Sequence, residues 1–191
     1  MKSTIRLVAA LVALVPFLQS CVVAVVGAGV GAGVIVASDR RTSGTMLEDQ
    51  TIESKAKSRI TEKYGEQVNI NVNSFNRLVL LTGQAPTDEI KQDVSVLVLE
   101  VQNVRNVQNE IVVGGISSKT SRASDALLTT QVKGRLAKDK DASAAHITVI
   151  SENGTVFLMG LVTHAEAETA SQIAATTSGA QRVVKVFEYL D

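Results

Sequence analysis

The chain has 191 residues, with 19 basic and 19 acidic side chains, 45% hydrophobic residues, four Phe, two Tyr and no Trp. That balance excludes the strong positive field of a nucleic-acid binder, and no basic tail stands in for one. The single cysteine, Cys21, excludes disulfides and any Cys-ligated metal site, and the scarcity of aromatics leaves Val, Ile, Leu and Ala to build the core.

The first predicted element is a leader. Lys2 and Arg6 supply a positive start, and Leu7–Leu18 is an apolar run of secretory-signal length. It is shorter than the ~20 residues that span a bilayer. It ends in Leu18-Gln19-Ser20-Cys21. A large aliphatic residue, a small residue and then cysteine resemble the lipobox of bacterial lipoproteins. The resemblance implies removal of residues 1–20 and acylation of Cys21, both on sulfur and on the new amino terminus. Val22 in place of Asp implies, by the same resemblance, sorting to the outer membrane. One acyl chain binds a bilayer marginally and two or more anchor it stably, at ~0.8 kcal/mol per buried methylene. Loss of Lys2 and Arg6 leaves 17 basic against 19 acidic side chains, a mature net charge of −2.

Residues 21–45 read as a lipidated Gly/Val-rich tether. Val22–Ala37 is apolar with spaced glycines, suited to lie at the membrane interface or to pack closely against a partner. Gly27-Ala28-Gly29-Val30-Gly31-Ala32, with Glu48 about 20 residues on, imitates a dinucleotide-binding turn. The imitation fails, because no amphipathic helix opens at the glycines to carry a pyrophosphate and no parallel βαβ series follows.

The remaining chain is an internal repeat. Ile70, Val72, Ser74, Asn76, Val79, Leu81 and Gly83 recur 77 residues later as Ile147, Val149, Ser151, Asn153, Val156, Leu158 and Gly160. In each copy an alternating strand meets a tight turn, Asn76-Arg77 or Asn153-Gly154, and a second strand runs on toward the glycine, Leu78–Thr82 or Thr155–Met159. A helix precedes each hairpin, with buried rows Ile52, Ala56, Ile60 and Leu128, Val132, Leu136. A second helix follows, Thr87–Val101 or Thr163–Thr177, the latter opening on a Thr163/Glu166 capping box. A closing strand, Val104–Val113 or Arg182–Leu190, completes an α-β-β-α-β unit. Gly83 and Gly160 are expected where a tight turn or a close helix–sheet contact excludes a Cβ.

This pattern resembles the BON domain, down to the glycine ending the second strand and the Asn103-Val104 and Gly179-Ala180 turns into the last strand. A lipobox followed by two such units resembles the dual-BON outer-membrane lipoproteins. The expected architecture is α+β: two tandem BON domains, 46–113 and 122–191, joined by residues 114–121. Each has a three-stranded mixed sheet packed against two helices, and the short joint brings the two units into contact.

Chemistry is sparse. His146 and His164 have no metal-ligand spacing to other His, Asp or Glu, the cysteine is spent on the anchor, and Glu166 is claimed by the cap. We expect no enzyme, cofactor or metal. The informative difference lies between the copies. Glu48–Lys63 carries four acidic and four basic residues, whereas Lys119–Lys138 carries five basic residues against Asp125. Leu127 stands where copy one has Thr51, off the buried row and beside Gln131, Gly134 and Lys138.

An apolar side chain among basic ones suits an anionic membrane surface. The packing of Leu127 against copy one or the joint is the competing reading. Family resemblance implies phospholipid binding by the second unit, in support of envelope integrity. The expected site is Leu127, Leu128, Gln131, Lys133, Gly134, Arg135 and Lys138, on a helix beginning near Ser124. Leu128 is expected to be mostly core, and the partner is an anionic, phosphatidylglycerol-like phospholipid at the periplasmic face of the outer membrane. The alternative is a protein–protein adaptor, pairing an exposed sheet edge with an outer-membrane or periplasmic partner.

Overall fold

The structure is a computed structural model that describes residues 39–142 and 144–191. The leader, Cys21 and the glycine stretch lie outside the described residues. Arg40–Asp191 forms one compact unit. Three apolar clusters of buried side chains lie within this span.

The element order is α1 (Ser43–Tyr64), β1 (Asn69–Phe75), β2 (Leu78–Ala85), α2 (Asp88–Leu99), β3 (Asn106–Asn109) and β4 (Val112–Val113), then α3 (Lys119–Leu136), β5 (Ile147–Glu152), β6 (Thr155–Val162), α4 (His164–Ala175) and β7 (Arg182–Tyr189). In each domain the central strand pairs antiparallel with its hairpin partner and parallel with the closing strand. The closing strand of domain 1 is broken. β3 and β4 both pair with β2, and at the end of β3 the Asn109 side chain donates to the Lys91 carbonyl and accepts from the Ile111 amide.

Both hairpins turn through two consecutive left-handed residues, Asn76 and Arg77 or Asn153 and Gly154. These are the turns that match strand twist. Gly83 and Gly160 owe their identity to the strand opposite, and not to a turn or a helix–sheet contact. A Cβ would sit 2.0 Å from the Asn69 carbonyl oxygen in one case and 2.5 Å from that of His146 in the other.

Alternation along the central strands explains how the domains join. Val79 and Leu81 face their own helices, as do Val156 and Leu158, while Leu80, Phe157 and Met159 meet Phe75 and Val186 in a shared cluster. The two sheets therefore pack face to face with the helices outside, and the central strands read as unbroken apolar runs because both of their faces are buried. A polar rim surrounds this contact: Asn76 and Arg105 bind Glu188, and Arg182 binds Glu110. Two consecutive arginines tie the start of the unit to both domains. Arg40 forks onto Glu166 and donates to the Leu161 carbonyl, while Arg41 reaches Asp49 and lies 3.9 Å over the Phe75 ring.

Candidate functional site

One buried acid in each domain fixes the geometry. Asp49 on α1 is 3% exposed and accepts from the amides of Asn76 and Arg77 and from the Ser74 hydroxyl. Its counterpart 76 residues on, Asp125 on α3, accepts from the amides of Asn153 and Gly154. Each carboxylate thus clamps the following hairpin turn to the first helix, through charge-assisted bonds that a left-handed turn presents as two adjacent N–H groups.

In domain 2 the clamp borders a cleft of about 530 Å³. Ser121, Ser124, Leu127 and Gln131 form its helical wall, Asn153 and Gly154 its hairpin wall, and Ser178, Gly179 and Gln181 its far side. A second concavity of about 490 Å³ continues along α3, lined by Gln131, Gly134, Arg135, Lys138 and the turn Thr176–Ser178. Gln131 and Ser178 belong to both.

The structure brings four of the expected residues into one stripe. Leu127, Gln131, Gly134 and Lys138 follow each other along this groove, and Leu127 is 60% exposed. Its side chain lies roughly 140° around the helix from the buried row and belongs to none of the three apolar clusters. No Cβ contact constrains Gly134, whose backbone is open to approach. Arg135 borders the second concavity while bonding the Ile173 carbonyl and the hydroxyls of Thr176 and Thr177.

Leu128 is 5% exposed and belongs to the core, as expected, though it also borders the cleft. Two expectations change. The helix begins at Lys119 with Ser118 as its cap, not near Ser124, so Leu127 stands mid-helix. The basic residues do not gather around Leu127. Lys119, Arg122 and Lys133 fall on the opposite flank, roughly 80–140° away, and Arg122 borders a different hollow with Ala126 and Thr129.

The hydroxyl and amide lining from Ser121, Ser124, Ser178 and Gln181 escaped sequence reasoning. The signal that marks it is the replacement of Glu48, Arg77 and Asn103 by Ser124, Gly154 and Gly179 at equivalent repeat positions. His164 is engaged by Asp191 and stacks on Tyr189. Among the described residues no cluster of His, Cys, Asp and Glu is arranged to hold a metal. None of the described helices is long and apolar enough to cross a membrane.

Comparison with known proteins agrees with this architecture. The chain is 40% identical to the outer membrane lipoprotein DolP of Haemophilus influenzae, across 99% of this chain and 98% of that protein. It is 32% identical to a 21 kDa hemolysin of Actinobacillus pleuropneumoniae, across 80% of this chain and 79% of that one. It is 24% identical to the osmotically inducible protein Y of Escherichia coli, across 80% and 78%. The BON domain profile matches twice, over residues 48–115 and 124–191, and the chain belongs to the BON-domain family as a protein with two tandem copies.

Proposed function

We propose that this protein is a non-enzymatic lipoprotein of the outer membrane, anchored through acylated Cys21 on the periplasmic side. Its second domain binds anionic phospholipid, and the protein supports the integrity of the envelope. The observation that carries the reading is Leu127: a leucine 60% exposed, mid-helix, in a groove that ends at Arg135 and Lys138. Exposing so large an apolar side chain forgoes about 1.5–3 kcal/mol of burial, a cost that insertion among acyl chains recovers. Each basic group near acidic headgroups adds about 1 kcal/mol. The likeness to an outer membrane lipoprotein over the whole chain supports the location.

The test is vesicle co-sedimentation of residues 40–191, which lack the anchor, on phosphatidylcholine with and without phosphatidylglycerol. Binding that requires phosphatidylglycerol, weakens with salt and drops about tenfold or more in Leu127→Glu is the expected result. Folded wild-type protein left in the supernatant refutes it. A second reading, an adaptor that pairs through a sheet edge, draws on the exposed Val112, Val113 and Ile116 along and just beyond β4. It predicts association with an envelope protein that is indifferent to lipid charge and broken by proline at Val112.

A further inference from the structure

The two copies of the repeat differ at the positions that line the open cleft of domain 2. The scaffold of the site is present in both. Arg59 donates to the Leu97 carbonyl as Arg135 does to that of Ile173, and Asp49 clamps its turn as Asp125 does. The difference lies in what stands on that scaffold. In domain 1 the position of Ser124 is Glu48, whose carboxylate spans from Arg77 Nε to Asn103 Nδ2 across the space that is the open cleft in domain 2. The matching domain 2 residues, Gly154 and Gly179, have no side chain to close it. Beyond this seal, the second concavity survives in domain 1 at about 440 Å³, but Glu62 and Glu100 line it where Lys138 and Thr176 stand in domain 2, and the lysine that also borders it, Lys63, is already paired with Asp93.

We infer that lipid binding is confined to domain 2 by these replacements. The Glu48–Arg77–Asn103 bridge is a built-in plug, and Glu62 and Glu100 repel the phosphate from a site whose framework is otherwise intact. The inference rests on the lipid reading above and assigns its selectivity to named residues. Removing the plug is compatible with the fold, because Arg77 and Asn103 both occupy left-handed backbone (φ 66° and 72°), where glycine is at ease. The Glu48–Arg77 pair is also partly exposed, and exposed pairs contribute little to stability.

The deciding experiment uses residues 40–191 carrying Leu127→Glu, which silences domain 2, with and without six substitutions that open domain 1: Glu48→Ser, Thr51→Leu, Glu62→Lys, Arg77→Gly, Glu100→Thr and Asn103→Gly. Sedimentation with phosphatidylglycerol vesicles is expected to recover, on the order of tenfold over the Leu127→Glu parent. A folded sextuple variant that stays in the supernatant, while wild type binds, overturns the inference and leaves the lipid reading standing. Wild type failing to bind overturns both. The reciprocal variant, Ser124→Glu with Gly154→Arg and Gly179→Asn, installs the plug in domain 2 without touching Leu127, Arg135 or Lys138. It is expected to lose binding about tenfold. Unchanged binding by that variant, folded by circular dichroism, also overturns the inference, whatever the fate of the sextuple variant.

Discussion

Replacing the clamp aspartates by alanine distinguishes the two domains by a difference the structure fixes in advance. Asp49 receives four bonds: Ser74 Oγ at 2.7 Å, the amides of Asn76 and Arg77 at 2.8 Å, and an Arg41 guanidinium nitrogen at 2.9 Å. Asp125 receives two, from the Asn153 amide at 3.0 Å and the Gly154 amide at 2.9 Å. A hydrogen bond to a charged group is worth about 1.5–3 kcal/mol net, and exposed donors recover part of that from water. In domain 2 the Asn153 and Gly154 amides border the open cleft and rehydrate, whereas in domain 1 the turn lies under the Glu48–Arg77 bridge and Ser74 is 8% exposed, so less is recovered from water. The expected losses are therefore about 4 kcal/mol for Asp49→Ala and about 2 kcal/mol for Asp125→Ala. At about 2–4 °C per kcal/mol for a chain of this size, the melting temperature falls roughly 12 °C and 6 °C. Urea unfolding followed by circular dichroism gives both values. The m-value is expected to stay constant, because the surface exposed on unfolding is unchanged. Asp125→Asn, which keeps one acceptor oxygen, is expected to restore about half of the smaller loss. Equal losses from the two alanine variants, or a larger one at Asp125, refute the clamp as the source of the energy.

Two further outcomes test other parts of the unit. Gln84 donates to the buried carboxylate of Glu152 across the domain contact, so Gln84→Leu is expected to cost about 2–3 kcal/mol. Gln84→Leu with Glu152→Leu is expected to cost less than the sum of the two single losses, the bonds from Asn69, Ser117 and Asn71 being lost in either case. Additive losses in that double-mutant cycle contradict the pairing. Lys63, and secondarily Tyr64, hydrogen-bond Asp93 and hold its carboxyl below the usual carboxylate range, while the same bond raises Lys63. Asp93 thus contributes stability above about pH 3.9, the ordinary carboxylate value, and loses it as pH falls through its own lowered value. Lys63 contributes below its ordinary value, about pH 10.4, and loses it as pH rises through its own raised one. The melting-temperature gap between wild type and Asp93→Asn is expected to be level between those limits and to close toward pH 2. A gap that persists undiminished in acid contradicts the assignment.

Much of the fold was legible because it is local and written twice. Period-two alternation, the Asn-led turns and the Thr163/Glu166 box each specify an element from neighbours in sequence, and the structure forms the box as read. The stripe from Leu127 to Lys138 was legible for the same reason, since helical spacing fixes which residues share a face. What escaped depends on distant partners. Asp125 looked like a stray charge diluting a basic helix, because the amides it binds lie 28 and 29 residues away. The basic count of that helix looked like one patch, because a net charge over a segment does not record its distribution around the axis. The cleft itself was hidden, being made by side chains that are missing at Gly154 and Gly179.

The contact between the domains carries its own specificity. Sheet faces of related sequence could in principle pair with a second copy of themselves, making domain 1 dimers or domain 2 dimers. The repeat places Phe75 opposite Glu152 in the alignment, and Gln84 opposite Leu161. In the assembled unit Glu152 bonds to Gln84 and Asn71, while Phe75 and Leu161 both join the inter-sheet cluster. Each end of the contact is thus matched, one polar and one apolar, only when unlike domains meet. Two copies of domain 2 would set Glu152 against Leu161, without the Gln84 donor and with only the Thr148 hydroxyl at the position of Asn71, leaving a buried carboxylate under-paired at a cost of several kcal/mol. Two copies of domain 1 would set Phe75 against Gln84 and strand its amide. Divergence of the repeat therefore does in the interface what it does in the groove. A few polar replacements on a shared scaffold forbid the symmetric alternative, leaving α3 on the outer layer of a single asymmetric body.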